Sequence, residues 1–199
     1  MWRMGDFMSK KERLNDMARQ ILSAAELLIA KEGLQNLSMR KIASEAGIAT
    51  GTLYLYFKTK DELLDCLAEQ LHERYYRYLN IQFNPNSSFF DQYREIWNRK
   101  RHFLTDNPII AANLSQYQAM LGFNSILCRI MNDSEFIWNR FVEEGKKQGV
   151  IIPLPNDLLY CMSIGVATDI AYLEQVKQEP VSTEFFEETI LRTWKAIAC

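Results

Sequence analysis

The chain has 199 residues, 48% of them hydrophobic and 24% charged, with a net charge of −2, an ordinary globular composition with room for one or two domains. That balance excludes a uniformly basic nucleic-acid binder, and no apolar segment reaches the roughly 18 residues that a membrane span needs. Cys66, Cys128, Cys161 and Cys199 are scattered without a CxxC pair, which argues against a structural zinc site and a disulfide framework; with no signal-peptide run at the N-terminus, free thiols in a reducing cytoplasm are expected.

Residues 1–8 read as a short irregular arm, disordered or the product of a mis-set start codon, with contact of Trp2 and Arg3 to a minor groove as the alternative. Ser9-Lys10-Lys11-Glu12 is a capping box. The helix after it carries the apolar stripe Leu14, Met17, Ile21, Ala25, Leu28 and Ile29 and ends at Gly33. Lys10, Lys11 and Arg13 at its start either graze phosphate or are solvated.

Residues 38–64 read as a helix, a tight turn, a second short helix and the start of a long third one. Ser38 is placed to cap the first, and Ile42, Ala43 and Ala46 give it an apolar side. Gly47 is the expected residue after its end, where positive φ is needed. The second helix opens near Thr50 and turns Leu53 and Phe57 inward, leaving Thr50, Thr52, Tyr54 and Tyr56 on other faces. Thr59 and Glu62 form a capping box for the third. Two short helices around a glycine turn describe a helix-turn-helix. Hydroxyls, rings and Lys58 on the second helix suit a major groove; a polar, solvated helix is the alternative.

The third helix runs from Thr59 to about Asn80 with the row Leu63, Leu67 and Leu71, and spans about 30 Å. Asn84-Pro85-Asn86-Ser87-Ser88 is a loop and a boundary. Ser87 or Ser88 caps a helix with Phe89, Phe90, Tyr93, Ile96, Trp97, Phe103 and Leu104, broken at Asp106-Asn107-Pro108. Pro108 begins the next, with Ile109, Ile110, Leu114 and Tyr117. Gly122-Phe123-Asn124 is expected to interrupt before Ile126, Leu127, Ile130 and Met131. Asp133 or Ser134 is expected to start a helix with Phe136, Ile137, Trp138, Phe141 and Val142 that closes at Gly149. After Pro153 and Pro155, Asn156 or Asp157 is expected to cap one helix with Leu158, Leu159, Met162, Val166, Ile170, Leu173 and Val176. Ser182 or Thr183 starts the last, with Phe186, Ile190, Trp194 and Ile197. No strand pattern and no repeat of fixed period is evident.

Residues 1–60 hold ten Lys and Arg against six Asp and Glu, leaving thirteen against nineteen for the rest. A basic head on an acidic body suits a head that meets phosphates.

The run Thr50-Gly51-Thr52-Leu53-Tyr54-Leu55-Tyr56-Phe57-Lys58-Thr59-Lys60-Asp61-Glu62-Leu63, with Gly33, residues 37–43 and Ala46-Gly47-Ile48 upstream, resembles the DNA-binding part of the TetR/AcrR repressors. The likeness covers residues 17–67. It implies phosphate contact at Tyr54 and Tyr56, backbone contact at Lys60, approach to bases or backbone at Thr50, Gly51, Thr52 and Leu55, and Ser38 and Arg40 against phosphate. The alternatives are a partly packed Tyr54 and a non-contacting Thr52. The resemblance further implies a homodimer whose last two long helices pair as a four-helix bundle, with Met162, Val166, Leu173, Phe186, Ile190 and Trp194 as interface candidates. It also implies a small effector among the middle helices, for which Tyr93, Trp97, His102, Asn113, Tyr117, Met131, Trp138, Phe141 and Asp169 are candidates. Aromatic walls and adaptable Met suit flat or greasy ligands, although an aromatic stripe at helical spacing serves as core as readily. Asp169 falls on an apolar stripe, so it faces a cationic ligand, an interface partner or water.

His72 and His102 are the two histidines, and the chain lacks GxSxG, HExxH, Walker and GxGxxG patterns, so no enzyme activity, cofactor or metal is expected. The expectation is an all-α protein: residues 1–60 a three-helix DNA-binding domain, residues 61–199 a helical ligand-binding and dimerisation domain. Its partners would be a double-stranded operator, a small-molecule effector and a second copy, and no membrane. It would act as a cytoplasmic transcriptional regulator, a repressor released by an apolar or aromatic effector. The alternative is a helix-turn-helix protein whose body binds a protein partner.

Overall fold

A computed structural model describes residues 16–84 and 86–199, with Leu121 described by its backbone alone. The Ser9 capping box, the arm with Trp2 and Arg3, and Leu14, Lys10, Lys11 and Arg13 lie outside the described residues. The architecture is all-α. In chain order the helices are α1 (Asp16–Glu32), a 3-10 turn (Leu34–Asn36), α2 (Met39–Glu45), α3 (Thr50–Tyr56), α4 (Lys60–Leu79), α5 (Phe89–Asp106), α6 (Pro108–Gln118), α7 (Leu121–Met131), α8 (Ile137–Lys147), α9 (Asn156–Met162), α10 (Val166–Lys177) and α11 (Thr183–Lys195). The sole departure from helix and loop among the described residues is an isolated antiparallel bridge between Ile151 and Ala198. No helix among the described residues is long and apolar enough to cross a membrane.

The chain divides into two compact units. The first, among the described residues, runs to Gln70 and takes back Ser115–Phe123; the second comprises Leu71–Leu114 and Asn124–Cys199. Helices α4, α6 and α7 therefore each contribute residues to both units.

In the first unit α1 buries Ala18, Ile21, Leu22, Ala25, Leu28 and Ile29, the stripe of a helix lying on a core. It stops before Gly33, whose φ of 84° costs nothing without a Cβ. Leu63, Leu67 and Ala68 of α4 are fully buried in the same unit. The residues 115–123 that rejoin this unit explain one difference from expectation. The helix breaks at Ala119–Met120, and Gly122 lies inside α7. A Cβ on Gly122 would sit 2.3 Å from Asp65 Oδ1, so this glycine permits close approach to α4 rather than ending a helix.

In the second unit α5 is central, burying Tyr93, Ile96, Trp97, Lys100, Phe103 and Leu104. Ser88 caps it by accepting from the Asp91 amide at 3.1 Å. Phe141, Trp138, Phe186 and Ile190 complete the core. The body half of α4 is held by Arg74 on Asn107, by Tyr76 donating to Asp133 at 3.0 Å, and by Arg140 donating to the Ile81 carbonyl at 2.5 Å. Asp133 does not cap α8. Its carboxylate accepts from Tyr76 and from the Glu135 amide at 2.9 Å, making a local turn, and α8 starts at Ile137. The expected single helix from Asn156 to Val176 is two. Pro155 precedes α9 with no side-chain cap, and Ser163-Ile164-Gly165 separates α9 from α10. Gly165 is required there, because a Cβ would lie 2.8 Å from the Tyr160 carbonyl oxygen.

Gly145 of α8 meets a similar limit, since a Cβ would lie 2.5 Å from Ile151 Cδ1 and both residues are buried. Gly145→Ala is expected to destabilise the protein by about 1–3 kcal/mol through overpacking. Urea unfolding with an unchanged m-value reads this as a lower midpoint; an unaltered midpoint would show that Ile151 yields freely.

Candidate nucleic-acid interface and body core

The helix-turn-helix is built as its residue types require. Ser38 Oγ accepts from the Lys41 amide at 3.3 Å. Gly47 has φ 68°, and the Ile48 amide returns to the Ala43 carbonyl at 2.9 Å, a closing bond across the end of α2. Gln20 of α1 donates to the Ala46 carbonyl at 2.7 Å. α3 has seven residues and fully buries Leu53, followed by Phe57 at its end. Thr59 caps α4 through the Glu62 amide at 3.0 Å. Glu62 reaches back one residue further than a capping box requires, accepting from the Lys58 amide at 2.8 Å, so it fixes the α3–α4 junction itself.

This packing leaves the candidate DNA residues at least partly accessible. Ser38, Arg40, Gly51, Tyr54 and Leu55 are exposed, and Thr50, Thr52, Tyr56 and Lys60 are half-buried. Leu55, at 76% exposure, is an apolar side chain with nothing of its own unit to cover it. The cations nearby divide by their bonds. Lys41 is paired with Glu32 at 2.6 Å and Lys31 with Glu45 at 3.0 Å. Lys58 donates to the Tyr54 carbonyl at 3.1 Å. Arg40 and Lys60 have no side-chain partner among the described residues. Uncommitted cations suit phosphates, and accessible hydroxyls, rings and an exposed leucine suit phosphates and thymine methyls.

Residues 21–67 match the family described as bacterial regulatory proteins, tetR family, and residues 88–198 match the tetracyclin repressor-like C-terminal domain. The chain belongs to the TetR family of transcriptional regulators. An HTH-type transcriptional regulator of Haemophilus influenzae is 37% identical over 94% of this chain and 98% of its own length. The crystal structure of a TetR-family regulator from Haemophilus influenzae superposes with a TM-score of 0.82 at 38% identity, covering 92% of this chain and 97% of that one. The FadR regulator of Bacillus subtilis, solved with stearoyl-CoA, shares the fold at 22% identity with a TM-score of 0.67, over 88% of this chain and 96% of that one. This TetR-family protein is thus a DNA-binding transcriptional regulator.

The effector candidates separate. Tyr93, Trp97, Trp138 and Phe141 come together as one aromatic core. Trp97 Nε1 donates to the Tyr93 hydroxyl at 2.8 Å, which donates to Thr193 Oγ1 at 2.8 Å. Asn113 is buried with its amide on the Ile109 carbonyl at 2.7 Å. Tyr117 is fully buried in the first unit. His102 lies on a shallow surface cleft with Tyr78, Asp91, Arg94, Glu95, Asn98 and Arg99. Met131 is 38% exposed, and Asp169 is exposed on the outward face of α10. Of the dimer candidates, Met162 and Leu173 are exposed and Val166 and Trp194 are half-buried. Phe186 and Ile190 point inward: Phe186 packs edge-on to Trp97 at 5.5 Å and lies 3.8 Å beneath the Arg101 guanidinium. The outward apolar side chains are Tyr172, Leu173, Val176 and Phe185.

The residue that sequence reasoning missed is Lys100. It occupies the stripe position between Trp97 and Phe103, and its spacing was the available signal. Its ammonium donates to the Tyr160 hydroxyl at 2.6 Å and to the Ile164 carbonyl at 2.9 Å. Burial, followed by the Tyr160 hydroxyl beside it, pushes the Tyr75 hydroxyl well above 10.0. A group whose value is raised on folding stabilises the fold fully below its unfolded value and loses that contribution as pH rises through the folded one. The melting temperature should therefore fall above about pH 10, and Tyr75→Phe should lessen that fall. An identical alkaline decline in wild type and variant would remove Tyr75 as its source.

Proposed function

We propose that this regulator is a repressor that binds a palindromic operator as a homodimer and is released by a small, largely apolar or aromatic effector. The observation that carries the DNA-contact assignment is the surface of α3 and its flanks, where Arg40 and Lys60 lack partners among the described residues and Tyr54 and Leu55 are exposed. In this reading Tyr54, Tyr56, Ser38, Arg40 and Lys60 hold phosphates, and Thr50, Gly51, Thr52 and Leu55 approach bases. The outward face of α10 and α11 supports the dimer. Met162, Val166, Leu173, Tyr172, Val176 and Phe185 form an apolar set that water would otherwise cover, and a twofold pair of heads suits half-sites one helical turn or a multiple apart. The effector reading is supported by the aromatic core around α5. Its site of action is the cytoplasm, where DNA and effector meet.

Release would work by linkage. α4, α6 and α7 each contain residues of both units, so a body state favoured by the effector is passed along continuous helices. A coupling of about 1–3 kcal/mol weakens DNA binding five- to 150-fold.

Selection of sites from a random duplex library, using the full-length protein, is expected to recover a palindrome. Tyr54→Ala and Lys60→Ala should weaken binding to all sequences, with Lys60→Ala flattening the salt slope by about one unit, while Thr52→Ala blurs base preference. An unchanged slope for Lys60→Ala removes it from the contacts. Leu173→Asp should shift the dimer to monomer in sedimentation and abolish palindrome binding; a dimer that persists places the interface elsewhere.

A further inference from the structure

Lys100 is a buried cation without a buried anion. It is 2% exposed, too enclosed for its ammonium to reach water along its stem. No carboxylate among the described residues lies within ion-pair distance of it. Its bonds to Tyr160 and Ile164 and its position 4.5 Å over the Tyr160 ring are to neutral partners, and they use two of its three N–H groups. Buried charges are ordinarily paired, because desolvation of an isolated ion is far costlier than a neutral hydrogen bond returns.

The groups around it share a bias. The acceptors that meet the Lys100 ammonium are both neutral, the Tyr160 hydroxyl, itself hydrogen-bonded to Tyr75, and the Ile164 carbonyl. A carboxylate offers about four acceptor sites and supplies the missing charge. The surroundings are apolar and aromatic: Trp138 meets Tyr160 edge-on at 6.0 Å, and Phe103 meets Tyr75 at 5.2 Å. α9 covers this cluster. It is seven residues long, buries Leu159, and leaves Leu158 and Met162 half exposed. Pro155 bounds it on one side and the Ser163–Gly165 break on the other, so it can shift without unwinding a longer helix.

We propose that Lys100, with Tyr160 and Tyr75, is the anchor for the anionic head of a small apolar carboxylate, whose tail lies among the aromatic side chains of the body. The inference rests on the effector reading above and gives that effector its chemical class. The carboxylate takes the third N–H of Lys100 and competes with the Ile164 carbonyl for the others. It thereby acts on the α9–α10 break and on α4 through Tyr75, the elements that lead to the outward α10 face and to the DNA-binding unit.

The test uses delipidated full-length protein and two matched pairs of probes, decanoate with 1-decanol and 4-phenylbutyrate with 4-phenylbutan-1-ol. Calorimetry and tryptophan fluorescence report binding to wild type, Lys100→Met and Tyr160→Phe. At least one acid is expected to bind at least tenfold tighter than its alcohol. Lys100→Met should reduce the acid to the affinity of the alcohol, and Tyr160→Phe should weaken it severalfold. Without ligand, Lys100→Met should melt at or above the wild-type temperature, since an apolar chain of similar volume replaces an unpaired ion. The proposal is overturned if neither acid binds, if acids and alcohols bind alike, if Lys100→Met keeps the acid preference, or if that variant melts lower because Lys100 is a structural tie. Operator release is measured separately. Release by a neutral probe with no acid preference would uphold the effector reading and sink the Lys100 site. Acid binding at Lys100 with no release would keep the site and remove its effector role.

Discussion

The DNA-binding unit depends on the burial of Leu53. α3 has seven residues, about half the length at which an isolated helix becomes even marginally stable. Its conformation is therefore imposed from outside. Leu53 and Phe57 pin one side, the Gly47 turn sets its entry and the Glu62 carboxylate on the Lys58 amide sets its exit. Because so little of the helix is spent on packing, nearly all its remaining surface is available for a partner. A longer helix would need a wider apolar stripe and would leave fewer side chains for a groove.

In the second unit α5 plays the corresponding part with the opposite balance. Its six buried positions receive α8, α10 and α11, and the chain from Trp97 through Tyr93 to Thr193 is satisfied internally. Arg101 covers Phe186 and ties α5 to the Glu174 carboxylate at 3.5 Å and the Val181 carbonyl at 3.4 Å. The exposed apolar residues on α10 and α11 are thus not leftovers of a poor core. The inward stripe is complete without them.

Helix periodicity and capping residues made most of the fold legible in the chain itself. Ser38, Gly47, Thr59, Ser88, Pro108 and Gly149 each act where local chemistry alone decides, within one turn of a helix end. The misread positions share a different cause: their roles are set by residues distant in sequence. Gly122 looks like a breaker but serves Asp65; Asp133 looks like a cap but receives Tyr76. The break at Ser163–Gly165 has no proline, and the contact that occupies its free carbonyl comes from Lys100, more than sixty residues earlier. On α3, Leu53 and Phe57 turn inward as their spacing of four predicts. In the body, Phe186 and Asp169 could each have faced either way, since a stripe does not say which of two apolar faces a helix turns to its own core.

The DNA-binding unit draws on more of the chain than its N-terminal helices. Residues 115–123 belong to the DNA-binding unit although their neighbours on both sides belong to the other. Within that unit Gln116 accepts from the Leu34 amide at 2.6 Å and donates to the Ile29 carbonyl at 3.4 Å, holding the end of α1 where Gly33 turns the chain. A net hydrogen bond is worth about 0.5–1.5 kcal/mol, and a typical coupling between sites is about 1–3 kcal/mol. The two bonds of this one side chain therefore hold the end of α1 with about as much free energy as such a coupling carries. A latch such as Gln116 thus selects one packed arrangement of the α1 end within this unit, and does so with few contacts.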